Sequence, residues 1–229
     1  MGQLDALFSR YDRLVLFDTE TTGLIFHRDE IIEFAAVVLE RHDGQVQVME
    51  TYDELVTLRP GGFIPAKIEQ LTGITNQDVR ERGIPKTRVC CDIARMVAGN
   101  TLLLAYNAHF DLSFLFYMLL RDGDPGILKG KDKLDLLTVY KDRRSFPHKL
   151  CNAIDAYGLS GQVVNSHRAV DDVLATVEVM KAMESEKNDL DRYINLFGYH
   201  PTYGVDGKQI GSVTYKPQYY DPAQPLYEL

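Results

Sequence analysis

An uninterrupted apolar run that ends in two acids constrains this chain more than any other feature of it. Leu14, Val15, Leu16 and Phe17 offer no polar relief and read as a strand buried on both faces. The run closes on Asp18 and Glu20, just ahead of Thr21, Thr22 and Gly23. Residues two apart on a strand share a face, so the two carboxylates stand side by side. Like charges at that range raise each other's pKa and cost stability. The end of the best core strand therefore carries a charge pair that needs a counterweight.

Around that strand the chain alternates β and α. Residues 13–18, 29–40 and 45–58 read as strands, with a hairpin turn at Asp43-Gly44 joining the last two. Residues 59–65 form a loop, a short helix from residue 66 stops near Gly73, and residues 86–99 space Val89, Ile93, Met96 and Val97 helically. Another apolar strand at 101–106 leads into a helix that ends at Gly123. Residues 133–140 fit a strand or a helix start, and 150–158 and 167–188 read as helices, the second capped by Asn165 or Ser166. Hairpin strands followed by strand–helix alternation predict a mixed-sheet α/β domain. We place it within residues 1–188, with a core at about 11–185, followed by a C-terminal extension over 189–229. That extension holds Tyr193, Tyr199, Tyr203, Tyr215, Tyr219, Tyr220 and Tyr227 of the chain's 13 tyrosines, with Pro201, Pro217, Pro222 and Pro225. It is expected to pack on its own domain, with docking to a partner as the alternative, and Asp206-Gly207 suggests a small hairpin.

Other acids sit as oddly as the first pair. Asp111 opens an otherwise apolar helix, where the macrodipole alone is a sufficient reason for an acid. Asp171 and Asp172 come early in the last long helix, shortly after His167; one belongs on the solvated face and the other on the apolar side. Strand ends and helix starts of an α/β domain meet along one edge of the sheet, where ligands bind. Four carboxylates sharing such an edge would be strongly destabilising alone. Two divalent cations would cancel them, and oxygen donors suit Mg²⁺ or Mn²⁺. Such a pair is the usual machinery for displacement at phosphorus. His167 is the natural proton acceptor; His109 lies nearer to Asp111 but could equally face solvent.

A formal net charge of −8 argues against a long basic track for nucleic acid. Cys90, Cys91 and Cys151 give neither a disulfide framework nor zinc spacing, so reduced thiols and a cytoplasmic location are expected. No apolar stretch approaches the roughly 20 residues that span a bilayer, so no membrane association is expected, and residues 1–12 lack the pattern of a signal peptide.

The ordered motifs FDTETTGL (17–24), NAHFD (107–111) and HRAVDD (167–172), with LTGIT at 71–75, resemble the DEDDh 3′–5′ exonucleases of ribonuclease H-like fold. The resemblance spans about residues 11–185 and is strongest to the proofreading subunits of bacterial DNA polymerase III and their stand-alone relatives. It implies a ribonuclease H-like mixed sheet flanked by helices. It implies Asp18, Glu20, Asp111 and Asp172 as ligands of two divalent cations, with Asp171 the solvated neighbour and His167 the general base. Thr21 and Leu24 would contact the 3′-terminal nucleotide, by backbone amide and by apolar packing. Asn107 and Phe110 would shape the same pocket. The implied reaction releases nucleoside 5′-monophosphates from a 3′ end, with single-stranded DNA ahead of RNA. A DNA polymerase or another replication or repair protein is the implied partner. The alternatives are trimming of RNA ends and a non-catalytic, polymerase-associated binding subunit. Two features depart from the family pattern: Tyr106 stands where many relatives have His, and the tyrosine-rich extension matches nothing in the family core.

Overall fold

The apolar run becomes the middle strand of a five-stranded sheet. A computed structural model describes residues 4–203 and 210–229. Its elements begin with α1 (Asp5–Phe8), β1 (Arg13–Thr21), β2 (Ile31–His42) and β3 (Gln45–Leu55). Three helices follow: α2 (Ala66–Thr72), α3 (Asn76–Arg82) and α4 (Lys86–Met96). Next come β4 (Thr101–Ala105), α5 (Ala108–Asp122), β5 (Asp132–Asp135), α6 (Leu136–Arg143), α7 (Leu150–Ala156) and α8 (Ala169–Glu186). The strands β6 (Leu196–Tyr199) and β7 (Thr214–Pro217) close the series. The main sheet runs β3-β2-β1-β4-β5, antiparallel among the first three and parallel from β1 through β4 to β5. The expected mixed sheet flanked by helices is borne out.

Strand alternation divides the core. Leu14 and Leu16 pack with Ala169, Val173 and Val177 of α8, whereas Val15 and Phe17 pack with Ile93 of α4 and Leu112 and Leu115 of α5. Each such side chain contributes roughly 1.5–3 kcal/mol when fully buried, which helps offset the charges at the strand's end. Asp18 and Glu20 have the parity of Leu14 and Leu16, so they stand on the α8 side of the sheet. The pairing of β1 with β2 runs from Arg13↔Glu40 to Thr21↔Ile31, while that with β4 stops at Leu16↔Leu104. The second half of β1 thus projects past β4 and leaves a gap beside it.

Several boundaries differ from the sequence reading. The segment 66–82 holds two helices: Gly73 ends α2 in the left-handed region (φ 72°), and a Thr75–Asp78 capping box immediately starts α3. Residues 133–140 are both strand and helix, switching at Asp135, whose carboxylate accepts from Leu137 N at 3.3 Å and Thr138 N at 3.1 Å. The last long helix starts at Ala169, and neither Asn165 nor Ser166 caps it. Asn165 Nδ2 instead donates to Asp172 Oδ1 (2.7 Å), and Ser166 Oγ to Asp171.

The described residues of the extension lie against the domain. Asn195 N donates to Lys133 O (2.7 Å) and Lys133 N to Asn195 Oδ1 (2.9 Å), which seats the chain along β5. Tyr193 Oη (2.7 Å) and Leu226 N (2.8 Å) both donate to Asp142 Oδ2. Tyr193, Leu196 and Leu226 join the core beneath α8, and Phe197 joins the opposite one. The expected turn at Asp206-Gly207 lies outside the described residues.

Candidate active site

The gap beside β1 is where the acids gather. After β4 the chain turns through Asn107 in the left-handed region (φ 71°), which Asn tolerates because its short side chain bonds locally. The turn starts α5 and brings Asp111 against β1. There Asp111 Oδ1 accepts from Thr19 N (3.0 Å) and Thr19 Oγ1 (2.7 Å), taking the place that a continued β4 would occupy. Asp135 fixes the turn: its Oδ1 accepts from Asn107 N (3.0 Å) and Ala108 N (2.9 Å) while the same carboxylate caps α6. One buried acid therefore holds the first turns of two helices.

On the other side of β1 the start of α8 is pinned by Glu33. This residue lies opposite Glu20 on β2 and is fully buried. It accepts from Arg168 Nε (2.8 Å) and Ala169 N (2.7 Å), combining a counter-charge with a helix N-terminus. His167 then occupies a left-handed turn (φ 59°) just ahead of the helix. Ligand atoms of Glu20, His167 and Asp172 all lie within 4.8 Å of one another. Asp18 and Asp111 stand outside that close triplet, yet near enough for their charges to act on it and on each other.

The electrostatics are those of charges packed with too little counterweight, Arg168 being the nearby cation. Burial, then Asp111, Glu20 and Asp172, drive the Asp18 carboxyl well above the usual carboxylate range. Burial, then Asp172, Glu33 and Asp111, push Glu20 up to about 8, with Arg168 opposing. Asp111 rises to about 7, chiefly through burial and against the two bonds from Thr19. Burial raises Asp172, while the Asn165 bond and His167 pull it back. A set of partly buried oxygens that resists ionisation when bare, with an imidazole at its rim, fits divalent metal cations.

The expected substrate contacts lie around this cluster. Thr21 is buried and its hydroxyl donates to Gly23 O (2.6 Å), shaping the turn that carries Leu24. Leu24 is 80% exposed. Asn107 is exposed on its turn, and Phe110 is half-buried with its ring centroid 4.8 Å from that of Phe114. His109 instead places Nδ1 2.8 Å from the hydroxyl of Tyr215 in the extension. Tyr106 donates to His148 O (2.9 Å) and so ties down the loop before α7. A cavity of about 890 Å³ opens beside Asn107, His167 and Asp172. Thr19, Glu33, Asp135 and Arg168 were not picked out from sequence, and Asn165 was read there only as a helix cap rather than as a partner of Asp172. Glu33 and Asp135 carry the signal that exposed Asp18, an acid inside an apolar run, and that signal could have found them.

Residues 15–180, which contain all the acids and His167, match the RNase_T exonuclease family. The chain belongs to that family. Among its relatives, the DNA polymerase III epsilon subunit of Treponema pallidum is 31% identical over 172 residues, covering 73% of this chain and 74% of that one. The PolC-type DNA polymerase III of Clostridium perfringens is 34% identical over 183 residues, 79% of this chain and 12% of that one. The 3′–5′ exonuclease DinG of Bacillus subtilis is 40% identical over 112 residues, 48% of this chain and 11% of that one. The chain thus spans about a tenth of the length of the two long relatives. Its fold is shared with E. coli exonuclease I, solved in complex with a dA16 oligonucleotide. The TM-score is 0.69 at 22% identity, over 80% of this chain and 42% of that one. The exonuclease class expected from the motifs is borne out. Among the described residues no helix is long and apolar enough to cross a membrane.

Proposed function

We propose that the chain is a metal-dependent 3′–5′ exonuclease that shortens single-stranded DNA to nucleoside 5′-monophosphates. Asp18, Glu20, Asp111 and Asp172 would hold two divalent cations, Mg²⁺ or Mn²⁺. The observation that carries this reading is the convergence of Glu20, His167 and Asp172 within 4.8 Å, beside two further carboxyls displaced from their ordinary pKa range. Divalent cations bound there supply charge neutralisation at phosphorus and a water of lowered pKa.

The chain's own residues do the rest. His167, exposed on its turn, accepts the proton of the attacking water. The new bond forms between that water's oxygen and phosphorus. The bond to the penultimate 3′-oxygen breaks, and that oxygen leaves as the hydroxyl of the shortened strand after taking up a proton. Thr19 keeps Asp111 in place throughout, and Asn165 does the same for Asp172. Leu24 offers an apolar face to the terminal base.

DNA is put ahead of RNA because the relatives include DNA polymerase III proteins, and those names also support a polymerase partner. Cys90, Cys91 and Cys151 are free thiols, which suits a reducing cytoplasm. The test is a time course on 3′- and 5′-labelled single strands of DNA and RNA of one sequence, with Mg²⁺ or Mn²⁺. A ladder shortening from the 3′ end, faster on DNA, supports the proposal; faster loss of RNA moves the assignment to an exoribonuclease. Cleavage of neither polymer refutes it.

A further inference from the structure

The cavity beside His167 is larger than the chemistry alone requires. Its volume of about 890 Å³ is near the top of the range of about 300–1,000 Å³ typical of ligand pockets. One wall is the active site itself, through Asn165, His167 and Asp172. Most of the remaining lining comes from α6, the start of α7 and the segment between them, and from the C-terminal extension, which lies beyond the matched family region.

The chemistry of that part of the lining is specific. Phe146, 84% exposed, and Tyr220, 47% exposed, present ring surface to the cavity together with Tyr199. Lys141 and Lys149 line it as well, and among the described residues neither is in an ion pair. In a chain of net charge −8, two uncommitted cations in one cavity are notable. Aromatic faces interleaved with lysines are what a single nucleic-acid strand needs, since bases stack and phosphates pair with ammonium groups. The tail residues are also built in. Thr138 of α6 accepts from Gly198 N (3.0 Å) through its hydroxyl and from Gln218 Nε2 (2.7 Å) through its carbonyl. Gln218 N donates to Tyr199 O (2.6 Å), so β6, β7 and their tyrosines are fixed against the domain.

Direction follows from the two ends of the site. Of the residues placed around the terminal nucleotide, Thr21, Leu24 and Phe110 do not line the cavity and Asn107 does, together with His167 and Asp172. A strand whose last nucleotide rests at Leu24 and whose scissile phosphate lies at the acids continues, in its 5′ direction, into the cavity. We propose that the cavity is the binding path for the nucleotides 5′ of the scissile bond, and that Tyr199 and Tyr220 make the C-terminal extension part of substrate binding. The inference rests on the exonuclease reading above.

The test compares kcat/KM for single strands from dT2 to dT8 with kcat/KM for the p-nitrophenyl ester of thymidine 5′-monophosphate, which has no 5′ strand. The wild-type chain should gain with length. Phe146→Ala and Tyr220→Ala should each lower the dT8-to-ester ratio by about 5- to 150-fold, the range expected for loss of one stacked base. Lys141→Ala and Lys149→Ala should flatten the salt dependence of dT8 cleavage, by about 0.7 in slope for each phosphate left without its ammonium partner. Val48→Ala, at an exposed site on β3, should keep the wild-type ratio. All four groove substitutions are at partly or fully exposed positions, and melting temperatures near wild type will confirm folding.

Ester hydrolysis without a gain from length, or a wild-type ratio in Tyr220→Ala, would overturn the groove while leaving the exonuclease intact. Hydrolysis of neither ester nor DNA would remove the exonuclease reading instead. In that event binding of fluorescein-labelled dT8 to the Asp18→Asn protein still reads the groove. Equal affinity with and without Tyr220→Ala would reject it.

Discussion

Removing one charge from the acid cluster should make the metal-free protein more stable. Glu20 is the sharpest case. Its carboxyl is pushed up to about 8 in the folded chain from an ordinary 4.5, by burial and then by Asp172, Glu33 and Asp111. A folded pKa above the unfolded one means that the stability from this group is complete below about pH 4.5. It is then lost as pH rises through 4.5 to about 8. At pH 7 the gap of 2.5 between pH and the unfolded pKa corresponds to roughly 3 kcal/mol, at 1.36 kcal/mol per unit. Glu20 keeps some contact with solvent, so roughly 1–3 kcal/mol is the expected size. Glu20→Gln carries no such penalty. In a chelating buffer at pH 7 its melting temperature should exceed that of wild type by about 2–4 °C for each kcal/mol. At pH 4.5 the two should coincide. Millimolar Mn²⁺ should then stabilise the wild type by about 2.7 kcal/mol at one hundred times its Kd and the variant by much less, closing or reversing the gap. Scanning calorimetry at the two pH values, with chelator and with Mn²⁺, reads all of this. A variant no more stable than wild type in chelator at pH 7, or a gap of equal size at pH 4.5, would refute the charge-cluster argument.

Other perturbations test other parts of the arrangement. His167→Ala should lower the rate by about 10²–10⁴-fold while keeping the Mn²⁺-induced rise in melting temperature; unchanged turnover would remove His167 from the reaction. Glu33→Gln removes the carboxylate bonded to Arg168 and leaves Asp53 and Asp171 as its acidic neighbours, and denaturant unfolding should show a loss of about 2–4 kcal/mol. That is somewhat below the roughly 3–5 of a fully enclosed pair because Arg168 keeps solvent contact. Deleting residues 190–229 uncovers the surfaces under Tyr193, Leu196, Phe197 and Leu226. The truncated protein should be insoluble or melt well below the full chain, and wild-type melting would show that the extension is not part of the folding unit.

What could be read from the sequence was local. The acids at the end of β1, the acid at the start of α5 and the HRAVDD helix each break an apolar pattern within a few residues, so each is visible without the fold. The seam between α2 and α3 was also written locally, in the Thr75-x-x-Asp78 capping box after Gly73. What escaped was distant pairing. Glu33 meets Arg168 across 135 positions, and Asp135 reaches back 28 to Asn107. No periodicity reports such a contact, because it depends on which strand end faces which helix start. The seating of the extension escaped for the same reason: Asn195 against Lys133 and Tyr193 against Asp142 are hydrogen bonds between segments whose proximity only the sheet order creates.

The central claim is that these four acids and His167 hydrolyse the terminal phosphodiester of a 3′ end. The most direct measurement is the chemical identity of the first product released from a single-stranded DNA, by mass spectrometry in ¹⁸O-water, for wild type and Asp18→Asn. The expected product is a nucleoside 5′-monophosphate from the 3′ end carrying one ¹⁸O, formed with Mg²⁺ or Mn²⁺ and absent with chelator or in the variant. Release of internal fragments or 3′-monophosphates, or undiminished product from Asp18→Asn, would contradict it.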